Sequence, residues 1–235
     1  MAMPCVWGFI GSFGSLPVYP RGRVGKTNAI CPTGRRGGGS RRSLYRYLPV
    51  QEIVFWLIRH AESTWNAAGR WQGQEDPPLS EQGRRQAAGL ARVLAGEGVE
   101  TLITSDLARA FETASIVGRA LGLRPRPEPA LRELDAGAWN GLPRSEIARC
   151  DAEALARFDS GDMDAPAGGG ESRRDAARRA RRALLAIGRE SAARRLAVVT
   201  HAGVIRSLLP DVRVANAEWH VASLGEIAGV DGADS

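Results

Sequence analysis

The sequence predicts an α/β fold, a three-layer sandwich in which a mostly parallel central sheet is flanked by helices. Three apolar runs, at 53–58, 101–104 and 196–200, have the continuous hydrophobic character of strands that are buried on both faces. Helical patterns lie between these runs, and strands that alternate with helices are typical of this architecture. The chain has 235 residues, of which 43% are hydrophobic, which suffices for one domain with a substantial core.

The chain before the first strand has a different composition. Residues 1–50 contain eight basic side chains and no acidic ones, with frequent glycine, arginine, serine and proline. We therefore expect a disordered basic extension followed by a domain at 51–235. An organellar transit peptide fits this composition. We favour an over-extended start, because the regular pattern begins only near Gln51.

Two motifs in the extension do not meet the requirements of the functions they suggest. VGKT at 24–27 is similar to a phosphate-binding loop, but Pro20 stands where that loop needs its first glycine. SRRSLYR at 40–46 is similar to a twin-arginine export signal, but an acid-bearing, strand-like segment follows it without a small-residue cleavage site. We therefore assign neither function.

The net charge of +6 comes from the extension. Taking its eight basic residues from the 32 of the chain leaves 24 against 26 acidic residues, which gives residues 51–235 a charge of −2. A nearly neutral domain predicts no nucleic-acid partner. No apolar stretch approaches the roughly 18 residues that a membrane span needs. Three scattered cysteines without a C-x-x-C spacing favour neither disulfides nor zinc, so we expect a soluble, cytoplasmic protein.

Three helices are expected between and after the strands. Residues 80–95 begin at Ser80, a good N-cap, and this segment and 107–121 each have one apolar face. A third helix spans about 172–189, and we expect its arginines on a solvated face: Arg173, Arg174, Arg178, Arg181 and Arg182. Residues 139–171 break the pattern with prolines and a glycine triplet, which predicts an irregular lid over the open end of the sheet.

Arginine and histidine side chains, which can bind anions or take part in catalysis, follow each predicted strand. Arg59 and His60 follow the first strand, Arg109 lies in the first turn of the helix after the second, and His201 follows the third. In open α/β sheets, ligands bind beyond the carboxyl ends of the strands. Each residue has a structural explanation by itself, but so many cations and donors at one edge cost stability unless an anion is bound. A phosphoryl group fits this requirement.

The same residues suit phosphoryl transfer. That reaction needs fixed donors around three equatorial oxygens, which Arg59, Arg109 and His201 can supply. A neutral imidazole is a competent nucleophile at physiological pH, so His60 is the predicted nucleophile. The leaving alkoxide needs a proton, for which Glu133 is the candidate.

Six segments occur in an order that is typical of one family. They are LIRHAESTWN at 57–66, WQGQEDPPLSEQG at 71–83, SDLARAFETA at 105–114, LRELDAGAWNG at 131–141, GGGES at 168–172 and VVTHAGVIR at 198–206. Together they resemble the histidine phosphatase superfamily, also called the phosphoglycerate mutase-like family, over about residues 52–224. The resemblance implies a phosphoglycerate mutase-like fold.

The resemblance also implies roles for the matching residues. His60 becomes a phosphohistidine, and Glu133 acts first as acid and then as base. The phosphoryl group is held by Arg59, Arg109 and His201. Three further positions match residues that line the phosphate or substrate pocket, namely Asn66, Gln72 and the backbone amide of Ala202. Neither a metal nor a cofactor is expected.

The sequence departs from the family pattern in two places. Ala61 replaces the signature glycine, which would strain the turn after the first strand if φ there were positive. The region 207–224 looks shorter than the usual helix, loop and final strand, and Pro210 ends the helix early. We expect this shortening to weaken the support of the sheet or to open the pocket.

The segment after Glu133 distinguishes hydrolysis from mutase chemistry. Family mutases have a longer insertion with an E-R-H-Y-G stretch, whereas residues 139–166 offer only Arg144, Arg149 and Arg157 as cations. We therefore favour a phosphatase for a small phosphorylated metabolite, acting as a monomer or homodimer. Phosphoglycerate mutase-type transfer and a non-catalytic module that binds a phosphorylated ligand are the alternatives.

Overall fold

A five-stranded, mostly parallel sheet forms the centre of the fold. The structure is a computed structural model that describes residues 52–229, so the extension predicted at 1–50 lies outside the described residues. The strands are β1 (Val54–Arg59), β2 (Thr101–Thr104), β3 (Arg126–Pro127), β4 (Arg195–Thr200) and β5 (Trp219–Ser223). Their order is β3-β2-β4-β1-β5, and only β5 is antiparallel to its neighbour. The three predicted strands are confirmed.

Helices cover both faces of this sheet. They are α1 (Thr64–Ala67), α2 (Glu81–Leu94), α3 (Ala108–Leu121), α4 (Arg144–Cys150), α5 (Ala152–Asp159), α6 (Arg173–Glu190), α7 (Ala202–Leu208) and α8 (Leu224–Ala228). Alternate side chains of β1 enter opposite halves of the core: Phe55 and Leu57 pack in the cluster that includes α6, and Trp56 and Ile58 pack with α2 and α3. The predicted three-layer sandwich is confirmed. Among residues 52–229, no helix is long and apolar enough to span a membrane.

The sequence predicted that the arginines of α6 all lie on a solvated face, and this prediction is wrong for two of them. Arg173 and Arg181 are buried, with 3% and 7% of their surface exposed. The guanidinium of Arg173 stacks 3.8 Å from the centroid of the Phe158 ring and donates to the Phe158 carbonyl, while Arg181 donates to the carbonyl of Ile227 in α8. A long arginine side chain can be buried while its guanidinium group donates to a backbone carbonyl, and the sequence pattern does not show which arginines have such a partner.

Residues 139–171 are more regular than expected. They contain α4 and α5, and three aromatic side chains anchor them to the domain. Trp139 and Phe158 pack edge-to-face against each other and against Trp71, with ring centroids 5.1–5.7 Å apart. The indole of Trp139 also donates to Asp151 at 2.7 Å. These contacts fix the positions of Trp71 and Phe158, which line the cavity described below.

The C-terminal region completes the sheet. Helix α7 ends at Leu208, just before Pro210, as predicted. The following loop leads to β5, which pairs with β1 over five residues. On its way the loop donates two hydrogen bonds to the end of β1, from the Ala217 amide to the Arg59 carbonyl at 3.1 Å and from the Asn216 side chain to the His60 carbonyl at 3.0 Å. The loop between α7 and β5 therefore supports β1 directly.

Candidate active site

A cavity of about 670 Å³ opens at the carboxyl ends of β1 and β4. Parallel strands bring the residues that follow them to one edge, so segments distant in sequence meet there. Seven of the eight predicted site residues line the cavity: Arg59, His60, Asn66, Gln72, Arg109, Glu133 and Ala202. The eighth, His201, is fully buried, and its ring centroid lies 5.0 Å from that of His60.

His60 is held in one tautomer by its own turn. Its backbone amide donates to the Thr200 carbonyl, and Nδ1 of its ring lies 2.7 Å from the carbonyl oxygen of Ala61. Because a carbonyl oxygen can only accept, Nδ1 must carry the proton and Nε2 keeps its lone pair. Burial and then the charge of Arg109 hold the pKa of His60 well below its usual value. The ring is therefore neutral, and Nε2 is its hydrogen-bond acceptor.

Arg109 supplies a positive charge beside that lone pair. It is fully buried, and its Nε donates to Nε2 of His60 at 3.3 Å. Its two terminal nitrogens donate to the carbonyls of Glu75 and Gly73 at 2.6 and 2.8 Å. Burial lowers the pKa of Arg109, whereas the negative charge of Glu133 raises it. The guanidinium is thus fixed in orientation before any ligand binds.

Two buried nitrogens of the site lack a protein partner. Nε of Arg59 and Nδ1 of His201 are buried without a hydrogen-bond partner among the described residues. Nε2 of His201 lies 2.9 Å from the Ser105 hydroxyl, which also accepts from the Leu107 amide. When this hydroxyl donates to Nε2, the proton of the imidazole lies on Nδ1, which can then donate to a ligand. Buried polar nitrogens without a partner cost free energy unless a ligand occupies the site.

Glu133 is oriented by backbone groups on both sides. Its carboxylate oxygens accept from the amides of Leu134 at 3.0 Å and Gly203 at 3.1 Å. Its carbonyl oxygen accepts from the side chains of Arg179 at 3.0 Å and Gln74 at 3.2 Å. The carboxylate therefore enters the cavity at a defined place. Burial lowers the pKa of both Arg59 and Arg109, and the nearby negative charge of Glu133 opposes this effect.

The remaining predicted residues, Asn66, Gln72 and Ala202, also line the cavity. Asn66 accepts from the Ser63 amide at 3.1 Å, and the Ser63 hydroxyl donates to Gln72 at 2.6 Å, so one serine links both side chains. Ala202 is the first residue of α7, directly after His201. Ala61 does not strain the turn, because Ala217 is the only non-glycine residue with positive φ in 52–229.

Sequence reasoning missed several cavity residues. Trp71 and Phe158 line it, as do four arginines that the sequence did not assign to the site: Arg70, Arg173, Arg206 and Arg213. The position of Arg206, four residues after Ala202 and so on the same face of α7, is a signal that could have revealed it. In the described part of the chain, no group of three or more His, Cys, Asp or Glu side chains could hold a metal ion.

The comparisons with known proteins agree with this geometry. Residues 55–223 match the family model described as the histidine phosphatase superfamily, branch 1. The chain belongs to the histidine phosphatase superfamily. Membership confirms the resemblance from sequence, and the fold class that it implied is also confirmed.

Two curated relatives come from Arabidopsis thaliana. Phosphoglycerate mutase-like protein 4 is 41% identical over 166 residues, which cover 69% of this chain and 71% of the relative. A metal-independent phosphoserine phosphatase is 40% identical over 163 residues, covering 68% and 67%. Among solved structures, a mycobacterial glucosyl-3-phosphoglycerate phosphatase in complex with VO3 has a TM-score of 0.65 at 30% identity, covering 74% of this chain and 98% of its own. The predicted histidine phosphatase is confirmed.

Proposed function

We propose that this protein hydrolyses the phosphomonoester of a small metabolite in two steps, through a phosphohistidine at Nε2 of His60. The observation that carries the proposal is the bond from Nδ1 of His60 to the Ala61 carbonyl, which leaves the Nε2 lone pair beside the guanidinium of Arg109. A nucleophile that is already neutral and oriented needs no activating base.

In the first step, the Nε–H of Arg109 turns from Nε2 of His60 to an oxygen of the phosphoryl group. The freed lone pair of Nε2 attacks phosphorus as the bond from phosphorus to the ester oxygen breaks. Glu133 in its protonated form gives its proton to the leaving alkoxide, which departs as the alcohol. The transferred group carries its charge on three oxygens, and Arg59, Arg109 and His201 provide the matching donors. The unpartnered Nε of Arg59 and Nδ1 of His201 support this assignment.

In the second step, water attacks the phosphohistidine and the bond between nitrogen and phosphorus breaks. The Glu133 carboxylate takes a proton from the water, so it is protonated again for the next cycle. His60 returns to its neutral form, which its burial and the charge of Arg109 favour. Inorganic phosphate then leaves the cavity.

The segment after Glu133 supports hydrolysis over mutase transfer. Its three cations do not line the cavity, and each pairs with a neighbouring carboxylate: Arg144 with Asp159, Arg149 with Glu146, and Arg157 with Asp162. Paired surface arginines are poor candidates for holding a phosphorylated acid during transfer. The phosphatases among the relatives support the same conclusion.

The decisive experiment is hydrolysis of p-nitrophenyl phosphate with EDTA present by the full chain, His60→Ala and His220→Asn. His220 lies in β5 outside the cavity and provides a matched histidine control. We expect turnover by the full chain and His220→Asn and none by His60→Ala. Radiolabelled substrate should leave acid-labile phosphate on the protein only when His60 is present. Turnover by His60→Ala would contradict the mechanism.

The domain division and the assembly remain predictions. A chain that begins at residue 51 should retain the full activity if residues 1–50 are an extension outside the catalytic domain. A cytoplasmic location and a monomeric or homodimeric state are predicted from sequence alone, and light scattering of the purified chain tests the second of these.

A further inference from the structure

The cavity contains more positive charge than the phosphoryl site uses. Three arginines from separate elements line it: Arg173 at the start of α6, Arg206 in α7 and Arg213 in the loop before β5. Burial and then the charges of Arg206 and Arg213 lower the pKa of Arg173. Burial and the charge of Arg213 lower the pKa of Arg206. The three guanidinium groups are thus close enough to repel one another.

The neighbouring carboxylates are engaged elsewhere. The charge of Asp159 only partly opposes the lowering of the pKa of Arg173 and Arg206 by burial and by neighbouring arginines, and its two carboxylate oxygens accept from Arg144. The carboxylates that line the cavity are Glu133 and Glu218, and these act electrostatically on Arg59. No described residue accepts a hydrogen bond from the guanidinium of Arg206, although this side chain is half-buried. Clustered like charges of this kind lower stability unless an anion offsets them.

One member of the cluster is rigidly held. Arg173 is 3% exposed, stacks on the Phe158 ring and uses one terminal nitrogen to donate to the Phe158 carbonyl at 2.7 Å. A guanidinium has five N–H donors in a planar fork, so this single bond leaves others for a carboxylate or phosphate. A stacked, buried arginine loses little entropy on binding such a group.

Helix α7 contributes both to the phosphoryl site and to the cluster. Ala202 and Arg206 are four residues apart on α7, which places their backbones about 6 Å apart along the helix axis. Both line the cavity, so one ligand can contact the phosphoryl site and the cluster at the same time.

We propose that Arg173, Arg206 and Arg213 form a subsite for a second anionic group of the substrate, either a carboxylate or a second phosphate. This inference rests on the proposed phosphatase function, because it assumes that the reacting phosphoryl group lies at His60. The preferred substrates are then small phosphomonoesters with another negative charge several bonds away. Charge-assisted hydrogen bonds to that group should raise kcat/KM about 10- to 100-fold.

Two matched substrate pairs test the subsite. The compounds 3-phosphoglycerate and glycerol 3-phosphate differ by a carboxylate in place of an alcohol, and fructose 1,6-bisphosphate and fructose 6-phosphate differ by a second phosphate. We expect the more anionic member of at least one pair to have the higher kcat/KM, by about 10-fold or more. The pair that responds identifies the second group. Ratios near one for both pairs would overturn the proposal.

Two variants localise the effect to the cluster. Arg206→Gln and Arg213→Gln should each lower the ratio of kcat/KM within the responding pair about 10-fold or more. Arg92→Gln, which removes an exposed arginine of α2 outside the cavity, is the charge-matched control and should leave the ratio unchanged. An unchanged ratio in both cavity variants would refute the assignment, even if every rate fell.

A binding measurement separates this proposal from the proposed function. Calorimetry with His60→Ala measures the affinity for both members of each pair without turnover. Tighter binding of the more anionic compound, lost in His60→Ala combined with Arg206→Gln, supports the subsite even if the wild-type chain hydrolyses nothing. Equal affinities would reject the subsite even if hydrolysis through His60 is established.

Discussion

Replacing Gly203 by alanine tests whether Glu133 is the acid and base of the reaction. A Cβ at this position would lie 2.3 Å from the Glu133 carboxylate oxygen Oε1 and 2.7 Å from a methyl group of Leu134. An ordinary contact begins near 3.4 Å, so the carboxylate must move by about 1.1 Å. A displacement of about 1 Å in a catalytic group can cost roughly 100-fold in rate. We expect kcat/KM for an alkyl phosphate to fall by about that factor.

The leaving group decides whether the loss comes from proton donation. An alkoxide needs a proton as it departs, whereas p-nitrophenolate is stable without one, and kcat/KM reports the first chemical step. Gly203→Ala should therefore lose much more activity with glycerol 3-phosphate than with p-nitrophenyl phosphate. Gly89→Ala is the matched control, because a Cβ there meets nothing within 4 Å, and alanine in place of helical glycine should stabilise α2 by about 0.5–1 kcal/mol. Equal losses with both substrates would refute the role of Glu133.

Three further predictions concern the charges around the nucleophile. Arg109→Lys replaces a planar fork, which donates from three separate nitrogens to two carbonyls and His60, by a single nitrogen, so kcat/KM should fall at least about 100-fold while circular dichroism shows a folded chain. Burial holds the pKa values of His60 and His201 well below 6.5 in the folded protein. Below pH 6.5 the unfolded chain therefore binds more protons than the folded protein, and the free energy of unfolding falls as the pH falls. The free energy of unfolding in urea should decrease by about 1.4 kcal/mol per pH unit for each histidine below pH 6.5, and a slope that persists in His60→Asn combined with His201→Asn would contradict this. Arg179→Gln removes a hydrogen bond to the Glu133 carbonyl and an ion pair with Glu171, so kcat should fall about 10-fold with little change in KM, and an unchanged kcat would contradict a role of Arg179 in positioning Glu133.

Several elements had no usable signal in the sequence. Strand β3 has two residues, too few for any periodicity, and the edge strand β5 has the sequence WHVAS, in which polar and apolar side chains do not alternate regularly. Helices α4 and α5 lie in a segment whose prolines and glycines suggested irregular structure. The buried apolar residues of these helices are Ile147, Leu155 and Phe158, which belong to one core cluster. Phe158 packs against Trp71, which is distant in sequence, so tertiary packing decides the conformation of this segment.

Two carboxylates of the matched segments stabilise the starts of helices. Glu62 accepts from the hydroxyl of Ser80, the N-cap of α2, at 2.6 Å, and that hydroxyl accepts from the amide of Gly83 at 2.9 Å. Asp76 accepts directly from the amide of Ala108, the first residue of α3, at 2.6 Å. Carboxylates suit these places because the first amides of a helix need acceptors, directly or through a capping side chain, and the helix dipole favours negative charge.

The sequence by itself determined the layered fold and the set of residues at the active edge. Buried parallel strands need continuous apolar runs, and the residues after such strands must meet at one edge, so local pattern suffices for both conclusions. Only the tertiary structure decided which nitrogen of His60 carries the proton and that Arg173, Arg206 and Arg213 line the same cavity. Those properties depend on the Ala61 carbonyl, on Arg109 and on side chains that α6, α7 and a loop bring together, and contacts between distant segments leave no periodic trace in the sequence.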